Sequence, residues 1–126
     1  MAAGALTINE AAATTGWSPR MLRYIERIGL VTPPRSPSGY RLYGAAELQR
    51  LRTLRELLDR HGLALGDVGV ARRLRDEPAV ADAVYGWIDA APRRPPGVPA
   101  ADWLRWEQDK HSRLLAREAP APIPTT

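Results

Sequence analysis

From Ser18 to Gly29 the chain reads SPRMLRYIERIG, and its side chains sort cleanly onto two faces only as a helix. Ser18 can accept a hydrogen bond from an orphan backbone N–H, and Pro19 suits the first helical position. Gly29 can take the left-handed conformation that ends such a helix. At about 100° per residue, Arg20, Arg23, Tyr24 and Arg27 fall within an arc of roughly 100°. Met21, Leu22, Ile25 and Ile28 occupy a separate arc. One face can pack on a core while the other presents three guanidinium groups and a phenol. A solvated amphipathic face is the simpler account. Against it, like charges at i,i+3 and i,i+4 repel, and Glu26, the one acid in the segment, lies off that face. The face therefore calls for an anionic partner. After it come Pro33, Pro34, Arg35 and a Ser36-Pro37-Ser38-Gly39 turn. Tyr40-Arg41-Leu42-Tyr43 then alternates as a short strand does, which predicts a small β-hairpin.

The run Leu22-Arg23-Tyr24, Glu26-Arg27, Gly29-Leu30-Val31, Pro34, Arg35, Gly39-Tyr40-Arg41 and Tyr43 resembles the DNA-binding domain of MerR-family transcriptional regulators. The likeness covers roughly Leu6 to Leu74. Ile25 stands where the family usually has a second aromatic. The resemblance implies a mainly α fold: a winged helix-turn-helix with a small β-hairpin wing and C-terminal helices. It also implies roles. Arg20 and Arg23 are candidates for base edges, since guanidinium matches guanine O6 and N7 bidentately. Tyr24, Arg27, Arg35, Tyr40, Arg41, Tyr43 and His61 suit the phosphate and sugar side, and Ser18 can cap its helix and bind phosphate together.

Charge supports an anionic partner for one part of the chain. The formal charge is +4, but residues 1–75 carry +6 and residues 76–126 carry −2. A general preference for arginine, seventeen against one lysine, explains the choice of base but not its excess over acid. No cysteine occurs, which removes disulfides, thiolate metal sites and thiol redox sensing. The N-terminus lacks the basic-then-apolar pattern of a signal peptide, and no apolar run approaches membrane-spanning length. The expectation is a cytoplasmic protein, nucleoid-associated when bound to DNA.

Around the central stretch the chain reads as follows. Thr7-Ile8-Asn9-Glu10 fits a capping box opening a short alanine-rich helix that ends near Thr14 or Thr15. Gly16 supplies the turn, and Trp17 can staple onto Leu22. Ala45 to Arg60 reads as a core helix on Leu48, Leu51, Leu54 and Leu58, with Arg50, Arg52, Arg55 and Arg60 mostly on a solvated face. Leu65, Val68 and Leu74 predict a fourth helix. Another starts near Asp76-Glu77-Pro78, with Val80, Val84, Trp87 and Ile88 as its apolar stripe. Residues 92–99 form a proline hinge. A last helix is expected from Ala101 to Arg117, carrying Trp103 and Trp106. The division expected is 1–75 for DNA binding, 76–118 for a helical dimerisation or effector extension, and 119–126 as a flexible tail. Val84, Trp87, Ile88, Trp103 and Trp106 are the candidates for dimerisation or ligand contact. Such stripes can fold back on their own domain, pair across a dimer or enclose an apolar ligand, and the resemblance points to the dimer.

The function these features indicate is a sequence-specific DNA-binding regulator. It would act as a homodimer on double-stranded promoter DNA, with helix 18–28 in the major groove and wing 35–43 on the backbone. RNA polymerase is a further partner the resemblance implies; no small-molecule effector is readable. The alternative is an excisionase-like or architectural protein that bends DNA without an effector, though the fifty residues after the fourth helix favour the regulator. No catalytic constellation appears, so no enzyme, cofactor or metal is expected.

Overall fold

The computed structural model describes residues 5–60 and 69–118. It holds six helices: α1 (Ile8–Thr15), α2 (Pro19–Arg27), α3 (Ala45–Arg60), α4 (Gly69–Asp76), α5 (Pro78–Asp89) and α6 (Trp103–Glu118), the last preceded by a 3-10 turn at Ala100–Asp102. Local chemistry sets the first two. The Thr7 hydroxyl accepts from the Glu10 N–H at 3.2 Å while the Glu10 carboxylate accepts from the Thr7 N–H at 2.9 Å, completing the capping box. Ser18 Oγ accepts from the Met21 N–H at 3.0 Å, and Pro19 holds the first helical position. At the far end of α2, Gly29 (φ +80°) lets its own N–H reach Glu26 O at 2.9 Å and the Leu30 N–H reach Ile25 O at 3.0 Å. Those two bonds form a Schellman cap.

The core gathers Leu6, Ala11, Trp17, Met21, Leu22, Ile25, Leu30, Val31 and Tyr43 with Leu48, Leu51, Leu54 and Leu58 of α3. It continues into α5 through Val80 and Val84. Helix α6 lies along α3 and α1, and α5 touches α3. The apolar stripes of the last two helices are thus covered within the chain.

Two sequence expectations need correcting. Among the described residues there is no β-strand, so the wing is not a hairpin of strands. It is a turn closed by one antiparallel bridge, Arg35 with Arg41, and a second bridge joins Leu6 to Tyr43. So short a segment makes too few ladder bonds to propagate a strand. Three of the four arginines of α3 are also not on a solvated face, while Arg60 is exposed. Arg55 is only 1% exposed, stacked 4.8 Å from the Trp17 ring centroid, and its Nη2 donates to Thr15 O at the end of α1. Arg50 donates to Ile88 O at 3.2 Å and Ala90 O at 2.8 Å, capping the end of α5. Arg52 binds the fully buried Glu107 of α6 through Nε at 3.0 Å.

Helix α6 therefore docks on a polar seam. Glu107 also accepts from Trp103 Nε1 at 3.0 Å, and buried His111 donates from Nε2 to Leu48 O at 2.7 Å. His111 Nδ1 is buried without a hydrogen-bond partner. Burial holds the His111 pKa below its ordinary 6.5; the bond to Leu48 and the charge of Glu107 oppose this, while Arg55 and Arg52 add to it. The unfolded chain then takes up this proton before the folded one, so stability is complete above pH 6.5 and falls as pH drops below it. Denaturant melts between pH 7.5 and 5 should show that loss in the wild type. They should show less of it in His111→Gln, which keeps a donor for Leu48 O but does not titrate.

The other close contact is at Gly16, the turn between α1 and α2. Its φ is +80°, and a Cβ there would lie 2.6 Å from Leu115 Cδ2 of α6. Gly16→Ala should therefore cost about 1–2 kcal/mol from the left-handed backbone, with a further contribution from displacing Leu115. Thermal melting checks this, and an unchanged midpoint would remove Leu115 from the turn.

Candidate nucleic-acid interface

The outward face of α2 follows from its caps and its period. Met21, Leu22 and Ile25 are buried, which turns Arg20, Arg23 and Arg27 to solvent and leaves Tyr24 half-buried. Arg27 lies 6.0 Å from the Tyr24 ring centroid. Among the described residues, neither Arg20 nor Arg23 makes a hydrogen bond or ion pair. Their guanidinium groups are available for an external acceptor.

Beside this face sits the loop 35–41. Its backbone closes through Ser36 N–H to Tyr40 O at 2.8 Å and Leu42 N–H to Pro34 O at 2.8 Å. The Tyr40 side chain stands 72% exposed at its tip. Arg35 and Arg41 both turn toward α2 and share Glu26. Arg23, Arg35, Tyr40 and Arg41 line a cleft of 390 Å³ together with Thr7 and Asn9 from the start of α1. The structure thus brings Arg23 of α2 together with Arg35, Tyr40 and Arg41 of the loop around one cleft. Ser18, at the start of α2, is exposed, with its hydroxyl committed to the Met21 N–H.

Tyr43 is placed elsewhere. Its backbone pairs with Leu6 (2.7 and 2.9 Å), which turns the ring into the core at 1% exposure. Burial pushes the phenol pKa up to about 12, against the lowering effect of Arg41. A side chain so enclosed packs the fold and does not reach a phosphate. The resemblance placed Tyr43 on the phosphate side, but the bridge to Leu6 sets the inward turn. His61 lies outside the described residues.

The second group of expected residues is engaged within the chain. Val84 is in the core, and Trp87 and Ile88 pack on it half-buried, with Arg50 5.5 Å from the Trp87 ring centroid. Trp103 donates to Glu107, and Trp106 has Arg52 at 5.6 Å and Lys110 at 4.9 Å from its ring centroid. Among the described residues, the large apolar side chains left exposed are Tyr40 and Tyr85.

Sequence reasoning missed Glu26 as an organiser of the surface. Its partners lie 9 and 15 residues away, beyond any helical or strand period. Thr7 and Asn9 were also missed as lining residues, because helix-start chemistry accounts for them locally. No group of three or more potential metal ligands occurs among the described residues, and no helix there is long and apolar enough to cross a membrane.

Comparison with known proteins agrees with this geometry. The chain is 44% identical over 55 residues to heavy metal-dependent transcription regulator 2 of Rhizobium meliloti, covering 43% of this chain and 37% of that protein. It is 38% identical over 74 residues to a probable heavy metal-dependent transcriptional regulator of Haemophilus influenzae, covering 58% and 57%. To the HTH-type transcriptional regulator CueR of Escherichia coli it is 42% identical over 52 residues, covering 40% and 38%. The chain therefore spans between 37% and 57% of the length of these relatives. The sequence model of the MerR HTH family of regulatory proteins matches residues 6–73, the segment that builds α1, α2, the loop and α3. More than half of the chain thus carries the family's pattern, and the protein belongs to the MerR HTH family.

Proposed function

We propose that this protein binds duplex DNA in a sequence-dependent manner and regulates transcription. In this reading α2 enters the major groove and the loop 35–41 lies on the flanking backbone. The observation that carries it is the pair of exposed, unpartnered guanidinium groups of Arg20 and Arg23, set beside the arginines of the loop in a chain of this family. Base edges in the major groove accept such groups bidentately. Arg27, Tyr24, Tyr40, Arg35, Arg41 and Ser18 take the phosphate and sugar side, and residues 1–75 supply the contacts while α5 and α6 brace them. Two copies acting on two half-sites would double the few base contacts one such module can make. Sedimentation of the full chain tests this, and a monomer at micromolar concentration in the presence of its duplex would reject pairing. Two of the relatives are named for heavy metals; these 126 residues contain no thiolate ligand, and the reading assigns this chain no metal.

Binding should fall steeply with salt, because phosphate contacts release counterions. Arg41→Ala should weaken binding about equally on all duplexes and reduce the salt slope by roughly 1. Anisotropy titrations at several salt concentrations measure both. A change in preferred sequence would instead move Arg41 from the backbone to the bases.

A further inference from the structure

Glu26 is an acid at the edge of a cleft whose charged lining residues are Arg23, Arg35 and Arg41. A carboxylate beside a phosphate run opposes binding, so its place there needs a compensating role. Its geometry supplies one. Oε1 accepts from Arg41 Nε at 2.8 Å, and both oxygens lie 3.3 Å from Arg35 Nη2. Arg35 also donates from Nη1 to Gly39 O at 3.2 Å, so one carboxylate grips the loop on both sides of its turn. The Glu26 side chain is 15% exposed, which places the junction between helix and loop rather than in open solvent. The loop has a single bridge and, among the described residues, no strand on either side, so this junction ties it directly to α2.

We propose that Glu26 is a positioning residue for DNA recognition. Its carboxylate fixes the loop 35–41 against α2, so that helix and loop meet one DNA surface as a unit. This rests on the DNA-binding reading above. A guanidinium has five N–H donors, and Arg41 uses Nε alone, leaving its two Nη groups for an external acceptor. The carboxylate holds Arg41 by its inner edge and so fixes where those outer donors point. A charge-assisted hydrogen bond of this kind is directional, which attraction to a point charge would not be.

Charge and geometry predict opposite signs, and that makes the idea testable. Removing the negative charge should tighten DNA binding if Glu26 acts only through its field. Loss of positioning should weaken it. The experiment uses the full chain and a duplex that it enriches from a randomised library, with an unselected duplex of equal length for comparison. Glu26→Gln removes the charge at constant size, and Glu26→Asp keeps the charge but withdraws it by one methylene. Positioning predicts that both variants bind the selected duplex about tenfold more weakly, with the unselected duplex weakened as well, because the loop they release lies on the backbone. Melting midpoints close to wild type would separate this from a general loss of fold. Combining Glu26→Gln with the pair Arg35→Ala and Arg41→Ala should cost little beyond that pair alone, because Glu26 acts through both arginines.

Tighter binding by Glu26→Gln with Glu26→Asp unchanged would establish the field effect and overturn the proposal. Full additivity with the Arg35→Ala and Arg41→Ala pair would also overturn it. A loss on the selected duplex only in step with a lowered melting midpoint would reduce Glu26 to a structural residue. A wild-type chain that enriches no duplex would reject the DNA-binding reading itself and this proposal with it. Enrichment by wild type with unaffected variants rejects the proposal alone.

Discussion

Replacing Glu107 by alanine should destabilise the protein by roughly 2–4 kcal/mol, a large share of the 5–15 kcal/mol that holds a domain of this size folded. Glu107 is fully buried and binds Arg52 Nε and Trp103 Nε1, each at 3.0 Å. Its removal leaves the indole N–H without its acceptor and strips Arg52 of its close partner. Breaking a fully enclosed pair costs about 3–5 kcal/mol. The lower figure applies because Arg52 keeps 19% side-chain exposure and has Glu56 at 3.7 Å as a second, weaker partner. The effect should extend beyond α6. That helix packs on α1 and α3, and Leu115 fills the space above Gly16 in the turn leading to α2. Denaturant unfolding measures the loss, with Glu107→Gln expected to retain part of it by keeping an acceptor for Trp103. A Glu107→Ala midpoint equal to wild type would show that α6 is not docked through this seam. By the same reasoning a chain ending at Asp76 should be poorly stable, because it lacks Val80, Val84 and every α6 contact on α3.

Replacing Arg23 by alanine should weaken binding to the selected duplex by roughly 1–3 kcal/mol and relax one base position per half-site. The residue is exposed, makes no ion pair among the described residues, and lines the cleft between α1 and the loop. Little of its effect should therefore appear in stability, since no internal contact is lost. A bidentate base contact is worth more than one phosphate contact, so Arg23→Ala should exceed Arg41→Ala on the selected duplex and fall below it on an unselected one. Selection of binding sites by the variant chain gives the decisive readout. Recovery of the wild-type motif at full strength would show that Arg23 does not read bases.

The parts of this protein legible from sequence are those in which cause and effect lie within one turn of helix. Thr7 with Glu10, Ser18 with Met21, and the Gly29 cap are separated by at most five residues, and their chemistry needs no neighbour from elsewhere. The two faces of α2 and the leucine stripe of α3 are equally local, because periodicity alone sorts them. Together they fix the basic helix, its supporting core and the family that the chain belongs to.

Tertiary structure decided what becomes of the charges. A charged side chain reads as solvated in sequence because burying it is costly, and the partner that offsets the cost cannot be seen locally. Arg55 meets Thr15 from 40 residues away, Arg52 meets Glu107 from 55, and His111 meets Leu48 from 63. These separations follow no period, so arginines expected at the surface became the seam on which α6 docks. The same holds for Glu26, silent in the helical pattern yet joined across space to both arms of the loop. It holds for Tyr43, expected on the phosphate side by resemblance but turned into the core by its pairing with Leu6. Sequence by itself determined which helix is basic and where it begins and ends. Only the folded chain determined which of its charges remain free for an external acceptor, because each pairing depends on a surface that exists once the helices have packed.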